Sequence, residues 1–253
     1  MFALEFPPLS HIVNWPGFVG DGAWWEINKV VLVYGFAVLF TLLIFVLGNK
    51  KQLVPTGAQN LAEISVEFVE EQLIEPTIGH TNRRWLAPFM LSLFFFIFFT
   101  NIFEVIPVIQ MPASARIALP MLLAVTSYVL YHGAGIKEHK LKYITHTMFP
   151  PGVPWPLYIL VVPIEFVSKF LVQPFSHTVR LFANLLAGHI LLVTFGVLSA
   201  GLWTTKWYVV FLPLPAFGVV FFTAFEVMVS FLQAYVFTLL FGVYFGAAVS
   251  HEH

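Results

Sequence analysis

The chain has 253 residues, 59% of them hydrophobic and only 10% charged, and its formal net charge is −1. Its mean hydropathy of +0.86, and a charge content far below the roughly 25% of a soluble domain, identify an integral membrane protein with no electrostatic signal for nucleic acid. It contains no cysteine, which excludes disulfides, thiolate metal sites and a cysteine nucleophile.

In chain order, residues 1–28 lack a basic n-region and a compact apolar h-region and are read as mature sequence forming an N-terminal external segment. A crossing takes about 20 apolar residues. The first span is predicted over 29–48, bounded by Lys29 and by Asn49, Lys50 and Lys51. Residues 58–76, "AQNLAEISVEFVEEQLIEP", are amphipathic and too charged to cross. A helical wheel puts Glu63, Glu67, Glu70, Glu71 and Glu75 on one side, with Leu61, Ile64, Val66, Phe68 and Val69 largely opposite. That acidic face has the wrong sign for anionic lipid, which leaves a surface helix against a partner protein or a solvated acidic face. Further spans are predicted over 85–106, preceded by Arg83 and Arg84, and over 116–136, opened by Arg116 and followed by "KEHKLK". The turn-rich "FPPGVPWP" at 149–156 separates this half from the next.

Two long apolar segments follow, 157–201 and 203–250. Each would be roughly 65 Å long as one helix, about twice the hydrocarbon thickness. Each is therefore either two short spans or one strongly tilted helix, with Pro163, Pro174, Pro213 and Pro215 as places to bend. The fold class is all-α: a single polytopic membrane domain over 1–253, with about five crossing helices, the last two long and tilted, and one surface helix. With the N-terminus outside, the inside loops hold Lys50, Lys51, Arg83, Arg84, Lys137, Lys140 and Lys142, and the outside segments hold Lys29, Arg116 and Lys206. Seven against three places the C-terminus in the cytoplasm.

The first long segment is interrupted by Glu165, Lys169, Arg180 and His189, and from residue 207 the second carries Glu226 as its only formal charge. An arginine at bilayer depth costs about 3 kcal/mol on insertion scales, so Arg180 is a functional hypothesis by default. No acid lies within one turn of it in its own segment, which points to a partner elsewhere: Glu165, Glu226 or another chain. Asn184 stands at i+4 on the same face, whereas His189 falls on the opposite face and is either a hydrogen-bonded structural imidazole or a proton relay. Glu226, Ser230 and Gln233 form a polar stripe at i, i+4 and i+7. Glu165 has Lys169 at i+4, the spacing of a plain intrahelical ion pair. Glu104, with Asn101, is read as an interfacial cap. No P-loop, GxSxG or HExxH signature occurs and no close His/Glu pair has ligand spacing, so neither catalytic residues nor a metal or cofactor are expected. Sparse ionisable residues along two long apolar segments read as a proton path.

"SHTVRLFANLLAGHILL" closely resembles the signature of the subunit a family of the F-type ATP synthase: an essential Arg, then Leu-Phe, Asn four residues after the Arg, and Ala-Gly before a polar residue. "FEVMVSFLQAYVFTLLFGVYFGAAV" is similar to the family's C-terminal helix, and "FFTNIFEVIPV" to its Asn-x-x-acid-x-x-Pro stretch. The resemblance covers roughly residues 25 to 250 and fits bacterial members, actinobacterial ones among them. It implies a stator that offers two offset half-channels to a rotating ring of c subunits, with b-type peripheral-stalk subunits as further partners, in the bacterial plasma membrane in preference to the mitochondrial inner membrane, whose members share the His/Glu order. Arg180 would hold the ring carboxylate deprotonated and block a direct leak. His189 and Glu226 would form the proton-uptake pair, lined by Asn184 and Gln233. Glu165 resembles the acid near the exit half-channel, one residue further from the arginine than in some members. Gln173 stands where many members carry a basic residue, and His177 where an apolar one is common. The competing class is an autonomous secondary transporter or channel with Arg180 as substrate counter-charge; transporters often show internal repeats, and no clear repeat links the two halves here.

Overall fold

The computed structural model describes residues 28–48, 57–79, 85–106, 116–140, 142–149, 153–203 and 207–249. The external segment before Asn28, the flanking charges Lys50, Lys51, Arg83, Arg84 and Lys206, and Pro150 to Gly152 of the central turn lie outside them. All regular structure among the described residues is helical. Helix α1 is Lys29–Gly48. It opens under an Asn28 cap, whose Oδ1 accepts the Val31 amide at 3.1 Å and satisfies one of the free donors of the first turn. Helix α2, Ala58–Val69, runs on through a wide turn at Glu70–Ile74 to Glu75–Ile78. Helix α3 is Leu86–Val105, α4 is Ala118–His139 and α5 is Lys142–Met148.

The two long segments are each one helical run. The first starts at Trp155 with a tight turn, continues as α6, Tyr158–Phe166, widens over Val167–Val172 and ends as α7, Gln173–Leu202. The second starts at Trp207 and becomes α8, Pro213–Val249, 37 residues without a break. Both wide turns end two residues before a proline, Pro76 or Pro174. A proline donates no amide to the carbonyl four residues back and its ring crowds that carbonyl, and the wide turn relieves this. Pro213 and Pro215 stand in the first turn of α8, where the amides have no helical partner anyway, so they start a helix and break none.

Five of these helical stretches are long and apolar enough to cross a membrane: Lys29–Val46, Leu86–Val105, Ala118–His139, Trp155–Leu202 and Trp207–Val249. The chain is a multi-pass membrane protein. Trp155, Trp203 and Trp207, at the ends of the long runs, are 84%, 78% and 76% exposed, as tryptophans are at a membrane–water interface. Between the ends many Phe, Leu and Val side chains also face outward, as expected where the solvent is hydrocarbon.

The residues form two compact units. In the first, which holds α1 up to Val46, 95–105 of α3, 181–202 of α7 and 213–234 of α8, Val30, Val33 and Ala37 of α1 pack on Phe103. Phe40 meets Phe99 and Phe103 at ring separations of 5.5 and 5.8 Å. Phe195 fits against Gly218, where a β-carbon would strike its ring.

The second unit holds α2, 86–94 of α3, α4, α5, the run up to Arg180 and 235–249 of α8. Here the wheel reading of α2 is corrected. Gln59, Ala62, Val69 and Leu73 are buried, while Leu61 and Ile64 are 68% and 53% exposed. The inward stripe is the one on the side of Thr77, where α8 comes close: a β-carbon at Gly246 would collide with the Thr77 backbone carbonyl, and one at Gly242 with the Thr77 side chain. Gly246→Val should therefore destabilise by about 1–3 kcal/mol, as overpacking does. Limited proteolysis of the membrane-embedded chain measures this as faster cleavage around α2, with Gly133→Val, whose added carbon meets nothing within 4 Å, as the control.

Candidate functional site

Three helices of the first unit deliver ionisable side chains to one buried place. The last turn of α3 supplies Glu104, α7 supplies His189 and α8 supplies Glu226, exposed by only 1%, 6% and 2%. His189 Nδ1 lies 3.1 Å from Glu104 Oε1, ion-pair distance when the ring is protonated. The Glu226 carboxylate occupies the space that a β-carbon on Gly188 would need. Only glycine at 188 lets α8 lay a carboxylate on the α7 backbone one residue before His189.

The α8 stripe is buried in full, Ser230 at 1% and Gln233 at 4% exposure. Ser230 Oγ and Glu104 Oε2 are buried with no hydrogen-bond partner among the described residues, an expensive arrangement in a dry core. Asn101, one turn before Glu104, is buried as well. Glu104 is thus no interfacial cap: its carboxyl is buried and faces His189. A signal for it stood in the sequence, since Asn101 and Glu104 share a helix face at i, i+3 within an otherwise aromatic run.

Along α7 the residues divide by face. Leu181, Leu185, Gly188 and His189 are buried, whereas Ala183, Asn184, Ala187 and Leu191 are exposed and Arg180 is half-buried on that same outward stripe. Asn184 therefore lies away from the His189 cluster.

In the second unit Glu165 Oε2 lies 3.0 Å from Lys169 Nζ, both side chains about a third exposed. This is the intrahelical pair that the spacing allows. Lys169 also donates to the Thr147 carbonyl at 3.0 Å. Tyr131 donates its hydroxyl to Gln173 Oε1 at 3.3 Å, and His177 Nδ1 stands 3.0 Å from the Gln173 carbonyl with its ring against Phe237 and Tyr244. Among the described residues no group of three His, Cys, Asp or Glu is placed to hold a metal ion.

Comparison with known proteins gives this arrangement its context. The ATP synthase A chain family signature matches residues 30–246. The chain belongs to that family. Proteins named ATP synthase subunit a are similar over nearly the whole length. That of Rhodococcus erythropolis is 38% identical over 238 residues, 90% of this chain and 85% of its own. That of Frankia alni is 39% identical over 231 residues, covering 90% and 79%, and that of a Nocardioides species 37% over 261 residues, covering 98% and 94%. Membership in the subunit a family makes the chain a component of the F-type ATP synthase complex with a proton-translocating role, and leaves the autonomous-transporter reading without support.

Proposed function

We propose that this chain carries protons past Arg180 by two offset half-channels that open onto a ring of c subunits. On the positive-inside count the N-terminus is outside and the C-terminus cytoplasmic, so α3 ends at the external face and its Glu104 begins the uptake side. The observation that carries this reading is the buried meeting of Glu104 and His189 with Glu226 seated on Gly188. It brings together two carboxyls and an imidazole, groups that can take up and release a proton, in a segment that is otherwise apolar. Ser230 and Gln233 continue the polar surface along α8. The buried, unpartnered Ser230 Oγ and Glu104 Oε2 are sites to which a travelling proton or its water can bond.

Arg180 supplies the barrier. A fixed guanidinium cannot give up its proton, so it repels an excess proton and stabilises a carboxylate that comes opposite it. Its outward stripe, with Ala183, Asn184 and Ala187 exposed, suits a partner helix at close range, because small residues let helix backbones approach in a membrane. The two long helices cross once each, tilted along the ring, and Glu165 serves the exit side with Lys169. The peripheral stalk's b-type subunits complete the stator.

The absence of native cysteine makes the ring contact directly testable. Asn184→Cys is expected to form a disulfide with a cysteine placed one turn from the ring carboxylate in the assembled complex, and Leu185→Cys, whose parent side chain is 1% exposed, is not. Equal cross-linking from both, or none from Asn184→Cys, contradicts the assignment. Glu165→Gln is expected to slow ATP-driven proton pumping by about tenfold if Glu165 passes protons, against no change if it only pairs with Lys169. Fluorescence quenching of a pH dye in vesicles reads the difference.

A further inference from the structure

His132 of α4 is buried in a cage of rings. Phe170 stacks on it at 5.3 Å and 10°, and Tyr128 and Tyr131 lie at 4.3 and 4.6 Å. The Tyr143 oxygen is 2.8 Å from its Nδ1, while Nε2 is buried with no hydrogen-bond partner among the described residues.

Three further features hold Tyr143 there. Lys140 adopts φ 55, a positive value rare for a residue with a side chain, and so folds α5 back beside α4. Gly135, one turn after His132, leaves the space that the Tyr143 ring fills, since a β-carbon there would collide with it. Lys169, paired with Glu165, then ties α5 down through the Thr147 carbonyl. The Tyr131–Gln173 bond stands next to this cage, on the helical run that leads seven residues further to Arg180.

We propose that His132 and Tyr143 form a proton relay in the half-channel on the side of the α4–α5 loop, the cytoplasmic side; this rests on the proton path proposed above. In the synthesis direction a proton binds Nε2 while Nδ1–H points to the Tyr143 oxygen. The Nδ1 proton passes to that oxygen as the phenol's own proton passes to the Thr147 hydroxyl, which hydrogen-bonds Tyr143 and gives up its own proton to water at the cytoplasmic face. The imidazole is left neutral as its Nε2–H tautomer, and exchange of that proton for one on Nδ1, a tautomerisation that leaves the charge unchanged, resets it. No bond other than those to the proton changes, and charge is conserved at each step. Burial pushes the Tyr143 hydroxyl up to about 12, so it must receive one proton as it releases the other and does not wait as a phenolate. Among the described residues, the ionisable groups around His132 are Tyr128 and Tyr131 on α4, Tyr143 on α5 and Lys169 with its partner Glu165, and Tyr244 of α8 packs on Tyr131 at 5.6 Å.

The test uses inverted membrane vesicles that carry the complete complex. His132→Ala and Tyr143→Phe are each expected to lower ATP-driven proton pumping by about tenfold or more. Added imidazole should restore the His132→Ala complex, whereas pyrrole, the same size but without a basic nitrogen, should not. Tyr143→Phe keeps the ring in the Gly135 space and removes only the hydroxyl, so it separates relay from packing. Wild-type pumping in both variants, or rescue by pyrrole as good as by imidazole, overturns the relay. Normal pumping in an Arg180→Ala complex would instead overturn the path on which it rests.

Discussion

Replacing Glu226 by leucine is expected to lower ATP-driven proton pumping by about a hundredfold or more, the lower end of what a positioned acid or base contributes. The loss would be chemical, not structural. Leucine is close in size to the glutamate it replaces, and it adds neither a charge nor an unpaired polar atom to a buried position, so the chain should still insert and assemble. What disappears is the carboxylate laid on the α7 backbone, the proton acceptor of the proposed path. The same loss should follow in part from one methyl group elsewhere. Gly188→Ala puts a β-carbon where the Glu226 carboxylate sits; the flexible glutamate swings aside and the complex pumps about tenfold more slowly, a change of about 1.4 kcal/mol in barrier. Gly196→Ala on the same helix, whose added carbon meets nothing within 4 Å, should pump as wild type. Initial rates of dye quenching, normalised to assembled complex, distinguish the three. Equal rates for Gly188→Ala and wild type would mean that the seat of Glu226 is incidental.

Much of this site was legible in the sequence because helices repeat. Glu226, Ser230 and Gln233 share a face by spacing alone, and all three are buried. Arg180 and His189 likewise fall on opposite sides of α7 by angle, one half-buried on an exposed stripe and the other at 6% exposure. What periodicity does not carry is which helix meets which. The His189 partner, Glu104, ends a different span, and no spacing rule joins them; the pairing is a tertiary fact, visible beforehand only as a polar i, i+3 pair with Asn101. The inward face of α2 was misjudged for a related reason. A wheel sets Leu61 and Ile64 opposite the acidic face, but the side that meets α8 is the one carrying Thr77, against Gly242 and Gly246, and there Gln59, Ala62, Val69 and Leu73 are buried. The wide turns before Pro76 and Pro174 were hidden too. A proline in an apolar run announces a disturbance, and whether the chain kinks or widens depends on the packing around it.

Arg180→Ala is expected to abolish coupled pumping altogether, the largest effect the account predicts. A guanidinium inside an apolar stretch is retained against an insertion cost of about 3 kcal/mol, so removing it should not impair insertion. On the proposed path, its loss would leave the ring carboxylates no fixed positive charge to release their protons against, and nothing to repel a proton crossing directly between the half-channels. Arg180→Lys should fail nearly as badly. An ammonium is a compact point charge whose acidity shifts readily on burial, while the guanidinium stays charged and offers a planar fork of donors.

The most direct measurement compares wild type with Arg180→Ala in inverted membrane vesicles carrying the whole complex. ATP-driven proton pumping and passive proton leak are recorded, each with and without a reagent that modifies the ring carboxylate. The account predicts an assembled complex that no longer pumps, with any leak abolished by the reagent. Normal coupled pumping by the Arg180→Ala complex would contradict it.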